Sequence, residues 1–306
     1  VANSSRENRL NELSAKEWLR FTKTWFVYNP PPRKKKEMLH PAKYPEGLIE
    51  EFIRFFTKPG QLVFDPFLGT GSTLIAAHNA GRNGIGIELL EKYAAIARER
   101  VRGLDEQLQL SAGGTKVHCQ QQVIQSDATQ LTKIWETHKL PPVDFVITSP
   151  PYGPMLNKKG LVSKEREEKG LDVKYSDEAA DLGNIASFDE FVQRLVDIFV
   201  ALKLQMNAGA HLVIILKNYL DKGTYRTLAW DVGKALSTHF QLRGERLWCQ
   251  DNKTLYPYGY RYSFVPNVHH HYCLILRKEP DEGEKKQGKN EEKPQRTIRK
   301  LPTPKP

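Results

Sequence analysis

Short apolar runs alternate with helix-period stretches along most of this 306-residue chain, and that alternation limits the fold more than any other feature. Residues 62–64, 84–87, 123–125, 143–148, 211–216, 241–248 and 271–277 read as strands. Residues 45–57, 72–80, 91–101, 129–137, 188–204 and 225–236 read as helices. The stretch after Ser187 is the clearest helix. Phe188, Phe191, Val192, Leu195, Ile198, Phe199 and Leu202 recur at helical spacing, and Ser187 with Glu190 has the pattern of a capping box. Strand–helix alternation predicts an α/β fold, a doubly wound, mostly parallel sheet with helices on both faces. No long helix separates the last two strands, so one antiparallel edge strand is expected.

The two ends differ from this middle. Residues 1–36 are polar and finish in Pro30-Pro31-Pro32-Arg33-Lys34-Lys35-Lys36, which reads as an extended basic N-terminal arm. Residues 279–306 carry few apolar side chains and many charges. They cannot repay their ordering entropy and are expected to be disordered. The net charge of +10 favours a polyanionic partner, with nucleic acid the usual one. No apolar run reaches the roughly 18–20 residues that span a bilayer. Cys119, Cys249 and Cys273 are scattered, without metal-type pair spacing, as expected of reduced thiols in a cytoplasmic protein.

The stretch from Val63 to Thr73 follows a strand and opens a helix. Gly69 and Gly71 allow a tight turn and a close approach of backbone to ligand. The dinucleotide pattern needs a third glycine where Leu74 stands, and the phosphate-loop pattern needs a lysine that is absent. Asp65 would repel a pyrophosphate and suits a ligand with a positive amino group. Glu88 ends the second strand, where an acid can accept from both hydroxyls of a ribose. Asp127 follows the third strand, placed to take an adenine amine. Any one of these acids alone could merely cap a helix; the ordered set argues for a ligand site.

The fourth strand runs into Ser149-Pro150-Pro151-Tyr152-Gly153. The prolines remove two backbone donors and hold the chain extended, leaving carbonyls free as acceptors. Ser149 adds a hydroxyl acceptor, and Tyr152 a flat ring for a base to stack on.

Together these stretches resemble the amino-methylating DNA methyltransferases of restriction–modification and related bacterial systems, over roughly residues 40–278. Asp65-Pro66-Phe67-Leu68-Gly69-Thr70-Gly71-Ser72-Thr73 is similar to the family's cofactor motif. Ser149-Pro150-Pro151-Tyr152 resembles its catalytic motif, in the serine form typical of cytosine-N4 enzymes and of some adenine-N6 enzymes. The segment from His40 through Lys43 to Leu48 resembles the one that helps hold the methionine part of the cofactor. The resemblance implies a seven-stranded Rossmann-like class I methyltransferase sheet, with S-adenosyl-L-methionine as cofactor. It places the catalytic domain at 37–278.

On that reading Ser149 and the freed carbonyls polarise an exocyclic amine and aim its lone pair at a sulfonium methyl. Transfer is then direct, by positioning. No Pro-Cys dipeptide is present, which argues against attack through cytosine C5. The expected substrate is double-stranded DNA with the target base flipped out, and cytosine N4 is favoured over adenine N6 by the serine form. An RNA substrate, or a fold that binds nucleic acid without catalysis, remains open. Expected DNA contacts are Arg33, Lys34, Lys35, Lys36, Tyr258, Tyr260 and Arg261, with recognition assigned to an insert at 153–186 and a loop at 250–268. His269-His270-His271 could suggest a metal, but neighbours in a strand alternate faces and no matching ligands accompany them, so no metal is expected.

Overall fold

The computed structural model describes residues 8–30, 44–110, 119–153, 181–221 and 223–279. Its centre is an eight-stranded sheet in the order β1-β9-β10-β6-β5-β2-β3-β4. The strands are β1 (Trp25–Val27), β2 (Leu62–Asp65), β3 (Asn83–Glu88), β4 (Gln121–Gln125), β5 (Val143–Thr148), β6 (Met206–Leu216), β9 (Gln241–Cys249) and β10 (His270–Arg277). β7 (Tyr219–Asp221) and β8 (Thr224–Arg226) form a separate hairpin. All neighbours in the large sheet run parallel except β10, which lies antiparallel between β6 and β9. The one antiparallel strand is thus present, with β9 and β1 lying outside it.

Helices cover both faces. On one side lie α1 (Ala15–Phe21), α2 (Glu46–Phe56) and α3 (Ser72–Asn79), packed over Val63, Phe145, Ile147, Val213, Ile215 and Cys273. On the other lie α5 (Leu131–His138), α6 (Phe188–Lys203) and α7 (Leu228–Leu236), packed over Phe64, Val146, Leu212 and Ile214. α4 (Glu91–Leu110) sits beside α3, with Ala97 and Val101 against Leu68 and Leu74. Burial on both faces explains why β2 and β5 are nearly continuous apolar runs. Ser187 caps α6 through the Glu190 amide at 3.3 Å.

Two expectations are corrected. Residues 225–236 do not start as helix: Tyr225 and Arg226 belong to β8, and the helix begins at Leu228. The first 36 residues are not an arm throughout. Residues 8–30 fold onto the domain, and this is where the eighth strand comes from. A complete Ser14–Glu17 capping box starts α1. Phe21 stacks on Phe55 at 3.9 Å, and Trp18 tilts over the same ring at 4.7 Å. β1 then pairs with β9, Trp25 opposite Leu247. Buried Arg246 lies over Phe21 at 4.0 Å and Phe26 at 4.3 Å, and its Nε donates to the Lys23 carbonyl at 3.1 Å. The aromatic side chains of this polar stretch do the packing. The run Arg33–Lys36, the tail beyond Glu279 and most of the insert at 153–186 lie outside the described residues.

Candidate active site

Chain order sets where a ligand can sit. From β2 the chain winds outward through β3 to β4, then returns to β5 on the other side of β2 and continues to β6. The order therefore reverses between β2 and β5. Open α/β sheets bind ligands in the crevice at the carboxyl ends of the strands at such a switch point.

Asp65 ends β2 and Thr148 ends β5, and they meet there. Thr148 Oγ1 donates to Asp65 Oδ1 at 2.6 Å. The Phe67 amide donates to Oδ1 at 3.0 Å, Tyr44 Oη donates to Oδ2 at 2.8 Å, and Thr73 Oγ1 also donates to Oδ2. Asp65 is wholly buried, and burial raises its carboxyl above the usual range despite these donors. Asp65 is a knot tying β2, β5, α3 and Tyr44 together, beneath the crevice.

The glycine turn is tight, as its sequence predicts, though neither glycine lines the cleft described below. Gly69 and Gly71 both have positive φ, at 56° and 89°. A Cβ at Gly71 would also press within 3.1 Å of Ala97 Cβ, so α4 needs that glycine to approach. The Gly69 amide donates to Glu88 Oε2 at 2.8 Å, and the Leu90 amide to Glu88 Oε1 at 3.0 Å. Each carboxylate oxygen of Glu88 therefore takes one backbone donor and keeps capacity for one more. Burial pushes the Glu88 carboxyl up to about 7 against those two bonds.

An open cleft lies above this floor. Phe67, Glu88, Asp127, Ser149 and Pro151 line it, from four different strand ends. Asp127 also caps the short 3-10 turn Ala128–Gln130 through the Thr129 amide at 2.8 Å, so capping and lining coincide in one side chain. Ser72 and Thr73 do not line the cleft. Ser72 Oγ donates to Glu46 at 3.3 Å, and Thr73 is spent on Asp65. His40 and Lys43 lie outside the described residues.

Sequence reasoning missed Asp181, Leu90 and Ile198, which also line it. Asp181 caps the turn Leu182–Asn184 through the Gly183 amide at 2.8 Å. Its only sequence signal is an acid ahead of a Leu-Gly-Asn turn.

At the catalytic turn Ser149 Oγ lies 3.2 Å from Tyr152 Oη. The Tyr152 ring is buried in the main core, and burial pushes its hydroxyl up to about 12. Gly153 turns the chain away with φ 66°, against Phe191.

Tyr258, Tyr260 and Arg261 are on a separate loop between β9 and β10. It turns tightly at Gly259, and the rings of Tyr260, Tyr262 and Phe264 are exposed. His271 stacks on Trp248 at 4.5 Å, while His270 meets Tyr272 edge-on at 5.1 Å. Among the described residues no three His, Cys, Asp or Glu side chains group as metal ligands. No described helix is long and apolar enough to cross a membrane.

Comparison with known proteins finds a family match over part of the chain. Residues 2–99 match the family model for DNA methylase of the N6/N4 type. That stretch holds β2, the glycine turn and Glu88, and ends before Ser149. The type II methyltransferase M.BglI of Bacillus subtilis is 37% identical over 91 residues, 30% of this chain and 26% of that protein. M2.DpnII of Streptococcus pneumoniae is 42% identical over 67 residues, 22% of this chain and 25% of that protein. The chain spans about a quarter of the length of these curated relatives. An rRNA methylase from Streptococcus thermophilus superposes with a TM-score of 0.42 at 12% identity, over 78% of this chain and 99% of that one. That likeness is too loose to bear on activity.

Proposed function

We propose that this chain is an S-adenosylmethionine-dependent methyltransferase acting on an exocyclic amino group of a base in double-stranded DNA, with cytosine N4 as the position methylated. The observation that carries the reading is the shared cleft. Glu88 and Asp127, suited to a nucleoside, open into the same space as Ser149 and Pro151, suited to an amine. The match over residues 2–99 supports the cofactor half of that cleft.

The donor set fits the cofactor. Glu88 has an acceptor position left on each oxygen for two ribose hydroxyls. Phe67, Leu90 and Ile198 offer apolar walls for a flat ring, with Asp127 at its rim. The bound cofactor would supply the electrophilic methyl. The protein's part is positioning. Ser149 Oγ accepts from the amine and holds it as the lone pair turns toward the methyl, and Tyr152 fixes Ser149 by the bond between their hydroxyls. The proline carbonyls add acceptors that no sheet uses. The exposed rings at Tyr258 and Tyr260 and the cations at Arg261 and Arg33–Lys36 would meet the duplex.

Incubation with duplex DNA and methyl-labelled cofactor, followed by mass spectrometry of the digested nucleosides, tests the reading. N4-methylcytosine is the expected product. N6-methyladenine would change the base and leave the site standing. 5-Methylcytosine, or no transfer to any duplex, would overturn the mechanism.

A further inference from the structure

One strand over from the catalytic turn, the same end of the sheet carries a group of cations. The register pairs Thr148 with Ile214 and Leu216 with Tyr272. Carried one residue further, the second pair sets Lys217 beside His271, three residues past the partner of Thr148. His271 in turn pairs with Trp248. The Gln250 amide donates to the His269 carbonyl at 2.8 Å, continuing that ladder. Alternation then puts Lys217, His271, Trp248, His269 and Gln250 on one face.

Three features of this row lack an internal explanation. The Nδ1 atom of His271 is buried and has no hydrogen-bond partner. Oε1 of Gln250, a residue only 7% exposed, has none either. Lys217 is half-buried, and among the described residues no ion pair reaches it or Lys253, while the nearby Asp251 is engaged by Asn29 at 2.6 Å. Burial first, then the charge of Lys253, depresses the Lys217 ammonium to about 8. Cations crowded without an anion are a cost to the free protein that an anion would relieve.

We propose that Lys217, Lys253 and the Nδ1 edge of His271 form a phosphodiester site that takes a backbone phosphate of the strand whose base enters at Ser149. This rests on the DNA reading above and deepens it. A phosphate held one strand over from Ser149, at the same end of the sheet, would anchor the sugar–phosphate chain of the strand carrying the extruded base, adding affinity without reading sequence. Asn218, the next residue, is not part of the site. Its Oδ1 accepts from the Ala229 amide at 2.8 Å, on the opposite face.

The test uses the full chain, the K217Q/K253Q double variant and K253Q alone, the last altering an exposed side chain. First, inorganic phosphate is added at constant ionic strength and the melting temperature followed. The parent should rise with phosphate and the double variant should not. A parent indifferent to phosphate overturns the site. Second, duplex affinity is measured against salt. The slope of log affinity on log salt should shrink by about 1 in the double variant, the counterions of one phosphate, and by less in K253Q. Affinity for S-adenosylmethionine should stay the same in all three. Unchanged slopes with a duplex that still binds would sink the phosphate site and leave the DNA reading intact. A parent that responds to phosphate yet binds no duplex would keep the anion site and overturn its assignment to a nucleic-acid strand.

Discussion

The two halves of the sheet's carboxyl end have opposite character. Around β2, β3 and β4 the strand ends carry acids. Glu88 and Asp127 open into the cleft, joined by Asp181 from beyond the catalytic turn. Around β6, β9 and β10 they carry Lys217, Lys253 and three histidines, with exposed aromatic rings on the connecting loop. On the proposals above, one scaffold edge is divided into a pocket for a cationic small molecule and a face for a polyanion. The catalytic turn sits at the boundary. What separates the halves is side-chain chemistry at the strand ends, since the backbone runs through both without a break.

The largest expected effect is on the knot beneath that boundary. Asp65→Ala leaves the hydroxyls of Tyr44, Thr73 and Thr148 and the Phe67 amide short of an acceptor. Each unsatisfied buried donor costs about 1–3 kcal/mol, so urea unfolding should show a loss of more than about 3 kcal/mol. A loss below about 1 kcal/mol, with cofactor affinity collapsing instead, would move Asp65 from scaffold into the acidic pocket.

Next comes the acidic half. Glu88→Ala should weaken S-adenosylmethionine binding by about 2–3 kcal/mol, the worth of one or two hydrogen bonds to a charged group. The pH dependence follows from its carboxyl at about 7. The free protein holds this proton between 4.5 and about 7, where an unfolded chain has released it. Stability from this group is therefore full below 4.5 and lost as pH rises through about 7. Ribose hydroxyls donate to the ionised form, so cofactor binding should expel a proton and weaken as pH falls below 7. Calorimetry in buffers of differing ionisation heat reads that proton. Binding with no proton exchange would contradict the ribose role.

At the boundary itself, Ser149→Ala should lower turnover while cofactor affinity holds. Tyr152→Phe, which removes only the hydroxyl beside Ser149, should cost about 1 kcal/mol in kcat. Parent rates in both variants would detach the turn from the chemistry. The smallest effect is expected from the thiols. Cys119 and Cys273 are buried and Cys249 is half-buried. A folded variant lacking all three should transfer methyl groups at nearly the parent rate, and an inactive one would oppose direct transfer.

The sheet's main strands were legible because each is a dense apolar run bounded by turn residues, and Glu88, Asp127, Ser149 and Phe67 do converge as their positions at strand ends imply. Legibility failed where a residue's duty depends on distant partners. Asp65 and Thr73 look like ligand groups in sequence. Only folding reveals that Tyr44 and Thr148 consume their bonding capacity. Asp181 enters the cleft from beyond the catalytic turn, with no motif to mark it. The hairpin at β7 and β8 is too short for an alternation signal, and its Tyr225 and Arg226 read as the start of a helix. Residues 8–30 were misjudged from mean polarity, although Trp18, Phe21, Trp25 and Phe26 were present to pack.

The pairing of β1 with β9 also dictates an order of events. Tyr28 and Trp248, joined by a 2.8 Å bond from the indole Nε1 to the Tyr28 carbonyl, are 220 residues apart in the chain. During synthesis the N-terminal strand emerges early and has no docking edge until β9 has been made and has paired with β10. Loop-closure entropy delays such long-range contacts, so the strand pairing of β1 comes late, while Trp18 and Phe21 have the rings of α2 to pack on much earlier. Contact order alone puts the closure of β1 among the late steps of folding, and until it happens the β9 edge is an unpaired strand edge open to chaperones and to self-association.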